Sequence, residues 1–151
     1  MLTDLETRRL LDHRFGGPSV AREVNLYLGL HVGASPPSLA EGTGFVEPGG
    51  GTGYTRITMA NSAESWTAAA MVVAGPHLGS VAKFNAMELQ FPVASAPWGI
   101  PTHAGLFVGA SSGVGVPVAI ATFTQPYGSV AEGSLVRFTP GALMLLLRRE
   151  P

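Results

Sequence analysis

The chain has 151 residues, a formal net charge of −1 and no cysteine. That length suits one domain able to bury its own core. The lack of thiols excludes disulfides and thiolate metal sites, and the near-zero charge gives no electrostatic reason to bind nucleic acid or anionic lipid. No run of eighteen apolar residues is present, so no segment reads as a membrane-spanning helix. Residues 1–10 carry charge where a signal peptide needs its apolar stretch, which predicts a protein made and kept in the cytoplasm, or assembled there.

Charged residues make up 13% of the chain, against about 25% in average proteins. Of the nineteen charges, eight fall in residues 1–23: Asp4, Glu6, Arg8, Arg9, Asp12, Arg14, Arg22 and Glu23. The far longer stretch 24–147 also holds only eight: Glu41, Glu47, Arg56, Glu64, Lys83, Glu88, Glu132 and Arg137. A free monomer with so bare a surface tends to self-associate, so the composition predicts a surface covered by further copies or by a larger assembly. The alternative is a Thr, Ser and Gly surface that stays soluble.

The first element expected is a helix over Thr3 to Phe15. Thr3 and Glu6 have the spacing of a capping box, and Gly16-Gly17-Pro18 stops the helix. Leu5, Leu10, Leu11 and Phe15 supply its apolar side, and Arg8, Arg9 and Arg14 lie among them. A helix this short is marginal alone and must dock onto something. Residues 1–23 are therefore read as an anchor with its linker, and residues 24–151 as a β domain.

Within that domain Asn25 to Val32 alternates most cleanly, with Leu26, Leu28, Leu30 and Val32 on one face and Tyr27, Gly29 and His31 on the other. Gly33 to Gly53 is a long Gly/Pro/Ser loop, of a length usually functional or packed against a partner. Further strands are expected at 54–59, 68–74, 78–84, 87–91, 98–107, 118–123, 134–138 and 142–147, separated by Gly and Pro turns. The stretch Trp98 to Phe107 would place Ile100, Thr102, Ala104 and Leu106 on the core face. Pro101, His103, Gly105 and Phe107 would form a wall of small residues against a neighbour. Eight or nine short strands predict a mainly β, jelly-roll-like antiparallel β-sandwich with a short N-terminal α-helix.

No residue set is spaced for catalysis or a cofactor. Gly109 to Gly115 looks like a dinucleotide-binding glycine turn, but Pro117 stands where its helix would propagate. Gly49 to Gly53 lacks the lysine of a phosphate loop. His13, His31, His77 and His103 have no metal-ligand spacing, and Asp4 and Asp12 both lie on the helix. A triad inside the β domain would therefore need a glutamate in place of the aspartate, for example Glu88 beside His31 or His103. Among the carboxylates available for glycoside cleavage, Glu41, Glu47 and Glu132 are flanked by glycine or proline as loop residues are. Tyr54, Trp66 and Trp98 could form a sugar platform, though such residues serve more often as core or interface anchors. With His103 they are the expected ligand or subunit contacts. The residues thus predict no enzyme, no metal and no cofactor.

The order of features resembles a family of small tailed-phage virion surface proteins, labelled tail fibre or head fibre proteins. The marks are Leu10-Leu-Asp-His-Arg-Phe-Gly16, Leu26-Tyr-Leu-Gly-Leu-His31, Glu47-Pro-Gly with Gly53-Tyr-Thr-Arg56, and Trp66-Thr-Ala-Ala69. Phe91-Pro, Trp98-Gly with Thr102-His-Ala-Gly-Leu-Phe107, and Val136-Arg-Phe-Thr-Pro-Gly-Ala-Leu143 complete them. One departure is that the Phe107 strand runs on into Val108-Gly109-Ala110, where the family often has Asp-Ala. The resemblance implies a structural protein of a tailed-bacteriophage virion, most simply a capsid decoration (head fibre) protein forming trimers on the particle surface. The implied partners are further copies of the chain and the major capsid protein or other virion proteins. The alternative is a receptor- or carbohydrate-binding module of a tail fibre, with a host surface glycan as ligand.

Overall fold

A computed structural model of the chain describes residues 2–17, 21–125 and 127–147. It is mainly β, with antiparallel sheets and one short N-terminal helix. The helix α1 spans Asp4–Arg14. The strands are β1 (Asn25–His31), β2 (Ile57–Ala60), β3 (Ala70–Met71), β4 (Val81–Phe84), β5 (Leu89–Gln90), β6 (His103–Phe107), β7 (Ala119–Thr122), β8 (Arg137–Phe138) and β9 (Met144–Leu147). Every expected strand is present, most of them shorter than the apolar run that announced them. Three antiparallel sheets result, in the orders β2-β1-β6-β7, β3-β4-β9 and β5-β8.

The capping box expected in α1 does not form. Thr3 makes no side-chain cap. Its N–H and its hydroxyl both donate to the Val118 carbonyl, at 2.9 and 3.2 Å, and Leu2 bridges to Ala119. The Asp4 N–H reaches the Ala40 carbonyl at 2.8 Å. The chain start is thus drawn onto the outer edge of β7, and Thr3 is buried there. The other end stops as expected. Gly16 takes φ +92°, and the Gly17 N–H returns to the Asp12 carbonyl. A left-handed residue just past the helix closes its last turn in this way, and glycine adopts it without a Cβ clash.

The long segment 98–107 is not one strand. Gly99 has φ +93°, and Pro101 has no N–H to donate. Trp98 and Gly99 pair instead with Val130, and the chain joins β1 only from Thr102 onward, whose N–H donates to the His31 carbonyl at 3.0 Å. Ile100 and Thr102 are accordingly exposed, contrary to the core face expected for them. All five residues of β6 are buried, because it lies between β1 and β7 and is covered on both faces.

One of those faces holds the apolar core. Leu28, Leu30, Met59, Ala104, Leu106 and Ala119 meet Trp66, Leu89, Phe91, Trp98, Phe138 and Leu143. A gap of only about 20 Å³ remains between the four-stranded sheet and residues 143–145. That is room for about one water. Phe91 lies inside an aromatic cluster, 5.8 Å from the Tyr54 ring, 6.2 Å from Trp98 and 6.4 Å from Phe138. Each large side chain fully buried there contributes about 1.5–3 kcal/mol.

Candidate functional site

The other face of β1 and β6 carries the least expected feature. In register, Tyr27 faces Phe107, Gly29 faces Gly105 and His31 faces His103. Two glycines side by side leave a trough across the sheet. The chain's own long loop fills it, where the sequence suggested a neighbour. A Cβ on Gly105 would lie 2.8 Å from the Phe45 ring, and one on Gly29 would lie 2.6 Å from Glu47 Oε1. Neither position leaves room for a side chain.

Glu47, expected as an ordinary loop carboxylate, is the centre of a buried network. Its Oε1 accepts from the Tyr54 hydroxyl at 2.7 Å and from Arg56 Nε at 3.0 Å. Its Oε2 accepts from Arg56 Nη2 at 2.7 Å and from the Gly113 N–H at 2.6 Å. Arg56 also donates to the carbonyls of Gly109 and Val114, at 2.7 and 3.0 Å, and its guanidinium stacks 3.5 Å above the Phe107 ring. The Tyr54 hydroxyl in turn accepts the Leu30 N–H, beyond the point where β2 leaves β1. Burial alone would push the Glu47 carboxyl up. Arg56, the Gly113 N–H and the Tyr54 hydroxyl outweigh it and hold the carboxyl below its ordinary value. Burial, reinforced by the Glu47 charge, pushes the Tyr54 phenol up, so it stays a donor.

This arrangement is a clamp. One ion pair with both side chains buried ties the loop before β2 to the Gly109–Gly115 connection between β6 and β7. With four donors on the carboxylate, the pair is spent on structure and presents no open position to a substrate.

Beside it, His31 fastens the start of the same loop. Its Nδ1 accepts the Val46 N–H at 2.8 Å, so the proton sits on Nε2, which donates to the Ser35 carbonyl at 3.0 Å. The His103 ring lies 5.5 Å away, edge-on, with its Nδ1 2.9 Å from the Thr102 hydroxyl. Burial lowers the pKa of both rings, and His31 lowers that of His103 further. Glu88 is not near them. It lies 4.0 Å from Arg137, on the β5–β8 pair. Among the described residues no group of three or more His, Asp or Glu is placed to hold a metal ion.

The expected contact residues fall into two groups. Tyr54, Trp66, Trp98 and His103 are all buried, so in this fold their rings line no open groove. Trp98 packs edge-on against Tyr54 at 5.2 Å and donates its Nε1–H to the Thr52 carbonyl at 2.9 Å. Trp66 bridges to Asn85 inside the core. The anchor residues Arg8, Arg9, Leu10, Leu11, Arg14 and Phe15 are exposed, Phe15 to 79%. The side chain of Leu5 lies outside the described residues. Between α1 and the sheet runs a groove of about 430 Å³, walled by Leu2, Leu10, Leu26, Leu106 and Val118.

Fold and site together define a β scaffold whose central ion pair is locked inside and whose exposed helix is stitched to it at one end. A family model described as podophage GP4 fiber I protein gp80 matches residues 1–145. The chain belongs to that family of phage fibre proteins, and it is a component of the virion. No curated protein matches it.

Proposed function

We propose that the protein is a non-enzymatic structural fibre component that decorates the capsid as a homotrimer, with α1 gripping the major capsid protein or another virion protein. The β domain would be a jelly-roll-like sandwich, a reading supported by the shared core between the four-stranded sheet and residues 143–145. The observation that carries the proposal is the state of α1. Its first residues are hydrogen-bonded into the β domain, while Leu10, Leu11 and Phe15 stand at the surface among Arg8, Arg9 and Arg14. Apolar side chains within a charged rim match the make-up of a docking face. Against the glycan-binding alternative, both tryptophans and Tyr54 are buried, and Tyr27 and Tyr127 are half-buried.

The test is attachment. Particles lacking the protein are mixed with the wild type or with Leu11→Glu/Phe15→Glu, and bound protein is counted and located by electron cryomicroscopy. Wild-type density on the capsid, and loss of binding by the variant, are expected. Density confined to the tail would overturn capsid decoration, and full binding by the variant would overturn the role of α1.

A further inference from the structure

The hairpin formed by β3 and β4 has no charged residue between Glu64 and Lys83. It is also unusually bare. Met71 is 65% exposed, Val73 81% and Leu78 67%, and residues 67–70 are exposed as well. Met71 pairs with Val81 across the hairpin, and Val81 is exposed too.

β3 is an edge strand, with β4 on one side and no described strand on the other. The Val72 N–H donates to the Ser80 carbonyl, and the Val72 carbonyl accepts the Gly79 N–H. In an antiparallel pair the bonding groups alternate sides, so the N–H and C=O of Met71 and Val73 point outward. Natural edge strands are usually blunted by a lysine, a proline or a bulge. Residues 68–74, Ala-Ala-Ala-Met-Val-Val-Ala, contain no lysine or proline. The one proline of the hairpin, Pro76, lies in the turn beside Gly75.

We infer that this hairpin is the surface by which one copy of the chain docks on another. This rests on the self-association in the reading above and gives it a location. Three arguments select a second copy as the occupant. First, residues 65–82 hold no Asp, Glu, Lys or Arg, so the edge strand β3 brings no charge to repel its own copy, the one charge of the hairpin being Lys83 on β4, paired with Leu145 on the side away from β3, whereas a partner chosen by electrostatics would leave a charged signature. Second, the surface offers both halves of a contact, with outward backbone groups for pairing and aliphatic side chains for packing. Third, Met71, Val73, Leu78 and Val81 expose on the order of 450 Å² of mostly apolar surface, about half of what a partner buries in a stable interface. The alanines and backbone of residues 67–70 extend the same surface.

The experiment uses the full chain at micromolar concentration, with mass measured by light scattering and sedimentation. The wild type is expected at a multiple of its 15.6 kDa mass. Met71→Lys/Val73→Lys is expected at the monomer mass with an unchanged far-ultraviolet dichroism spectrum. The control Val93→Lys/Val114→Lys places the same charge at exposed valines elsewhere and keeps the wild-type mass. An oligomeric wild type with an equally oligomeric Met71/Val73 variant overturns this inference and leaves the self-association reading intact. A monomeric wild type overturns both. Dissociation of the control together with the variant also overturns the inference, since charge at any exposed valine would then suffice. If the variant does not fold, hydrogen exchange on the wild type decides. The Met71 and Val73 amides should lose protection on hundredfold dilution, and equal exchange at both concentrations refutes the docking.

Discussion

Replacing Arg56 by methionine should be among the most damaging single changes to this fold. The substitution keeps most of the aliphatic stem and removes the guanidinium. Four hydrogen bonds go with it, two to the Glu47 carboxylate and two to the carbonyls of Gly109 and Val114. The stack on Phe107 is lost as well. Glu47 keeps only the Tyr54 hydroxyl and the Gly113 N–H. Breaking a buried ion pair by removing one partner costs about 3–5 kcal/mol, because the remaining charge is uncompensated. For a domain of this size that corresponds to a fall in Tm of roughly 6–20 °C. Urea unfolding followed by tryptophan fluorescence measures it, since Trp66 and Trp98 are both buried.

The pH dependence shows whether charge is the cause. In the wild type the Glu47 carboxyl lies below its ordinary 4.5, so the unfolded chain binds the proton more readily. Its contribution is therefore complete above about pH 4.5 and is lost as the pH falls through the folded value. Without Arg56 only the Gly113 N–H and the Tyr54 hydroxyl oppose the burial effect, so the carboxyl titrates higher than in the wild type and acid relieves the variant. The stability gap between wild type and Arg56→Met should narrow as the pH falls from 7. A gap below about 1 kcal/mol at pH 7, or one that does not change with pH, would falsify the clamp as described.

Gly105→Ala should cost about 1–3 kcal/mol in the same assay, because its Cβ would lie 2.8 Å from the Phe45 ring and force the loop off the sheet. The two buried imidazoles should make stability fall as the pH drops below about 6.5, the ordinary histidine value, since both titrate lower in the fold and the unfolded chain takes the protons first. His31→Gln/His103→Gln should flatten the pH 7 to 5.5 segment, and an unchanged slope would assign it elsewhere. Deleting residues 1–4 should cost about 2–4 kcal/mol through the bonds of Thr3 and Asp4, while Leu11→Glu/Phe15→Glu leaves the melting curve within about 0.5 kcal/mol of wild type.

The strands were legible because alternation and turn residues are local signals. Asn25–His31 shows this best, since its boundaries differ from the expected ones by a single residue. The helix end was legible for the same reason, Gly16 and Gly17 being punctuation the chain carries with it. The clamp was not legible, because it is assembled from distant parts. Glu47 takes its donors from residues 54, 56 and 113, and no window of sequence contains all of them. The missed signal was the pair of glycines inside two good strands. Gly29 and Gly105 each mark a close approach, and their pairing across β1 and β6 joins two small gaps into one trough. Tyr54, Trp66 and Trp98 point the other way. Aromatic residues near glycine loops suit a binding platform or a core in sequence, with the core the commoner role, and here the core between the sheets claims them.

The sparse charges explain how one chain can serve both as rigid scaffold and as something that assembles. Of the eight charges in residues 24–147, Glu47 and Arg56 are buried against each other, so they stiffen the domain and contribute nothing to its surface. What remains outside is a surface of Gly, Ala, Thr, Ser and aliphatic residues broken by a few charges. The N-terminal segment carries the opposite balance, with a helix dense in both signs and three apolar side chains left at its surface. Charge complementarity sets partner choice and register more than strength, while apolar burial supplies strength without direction. A chain that concentrates charge on one short helix and leaves the β domain sparsely charged can separate the two tasks. Under the proposed function the helix chooses the site on the particle, and under the inference drawn for β3 its uncharged edge meets a second copy of the chain.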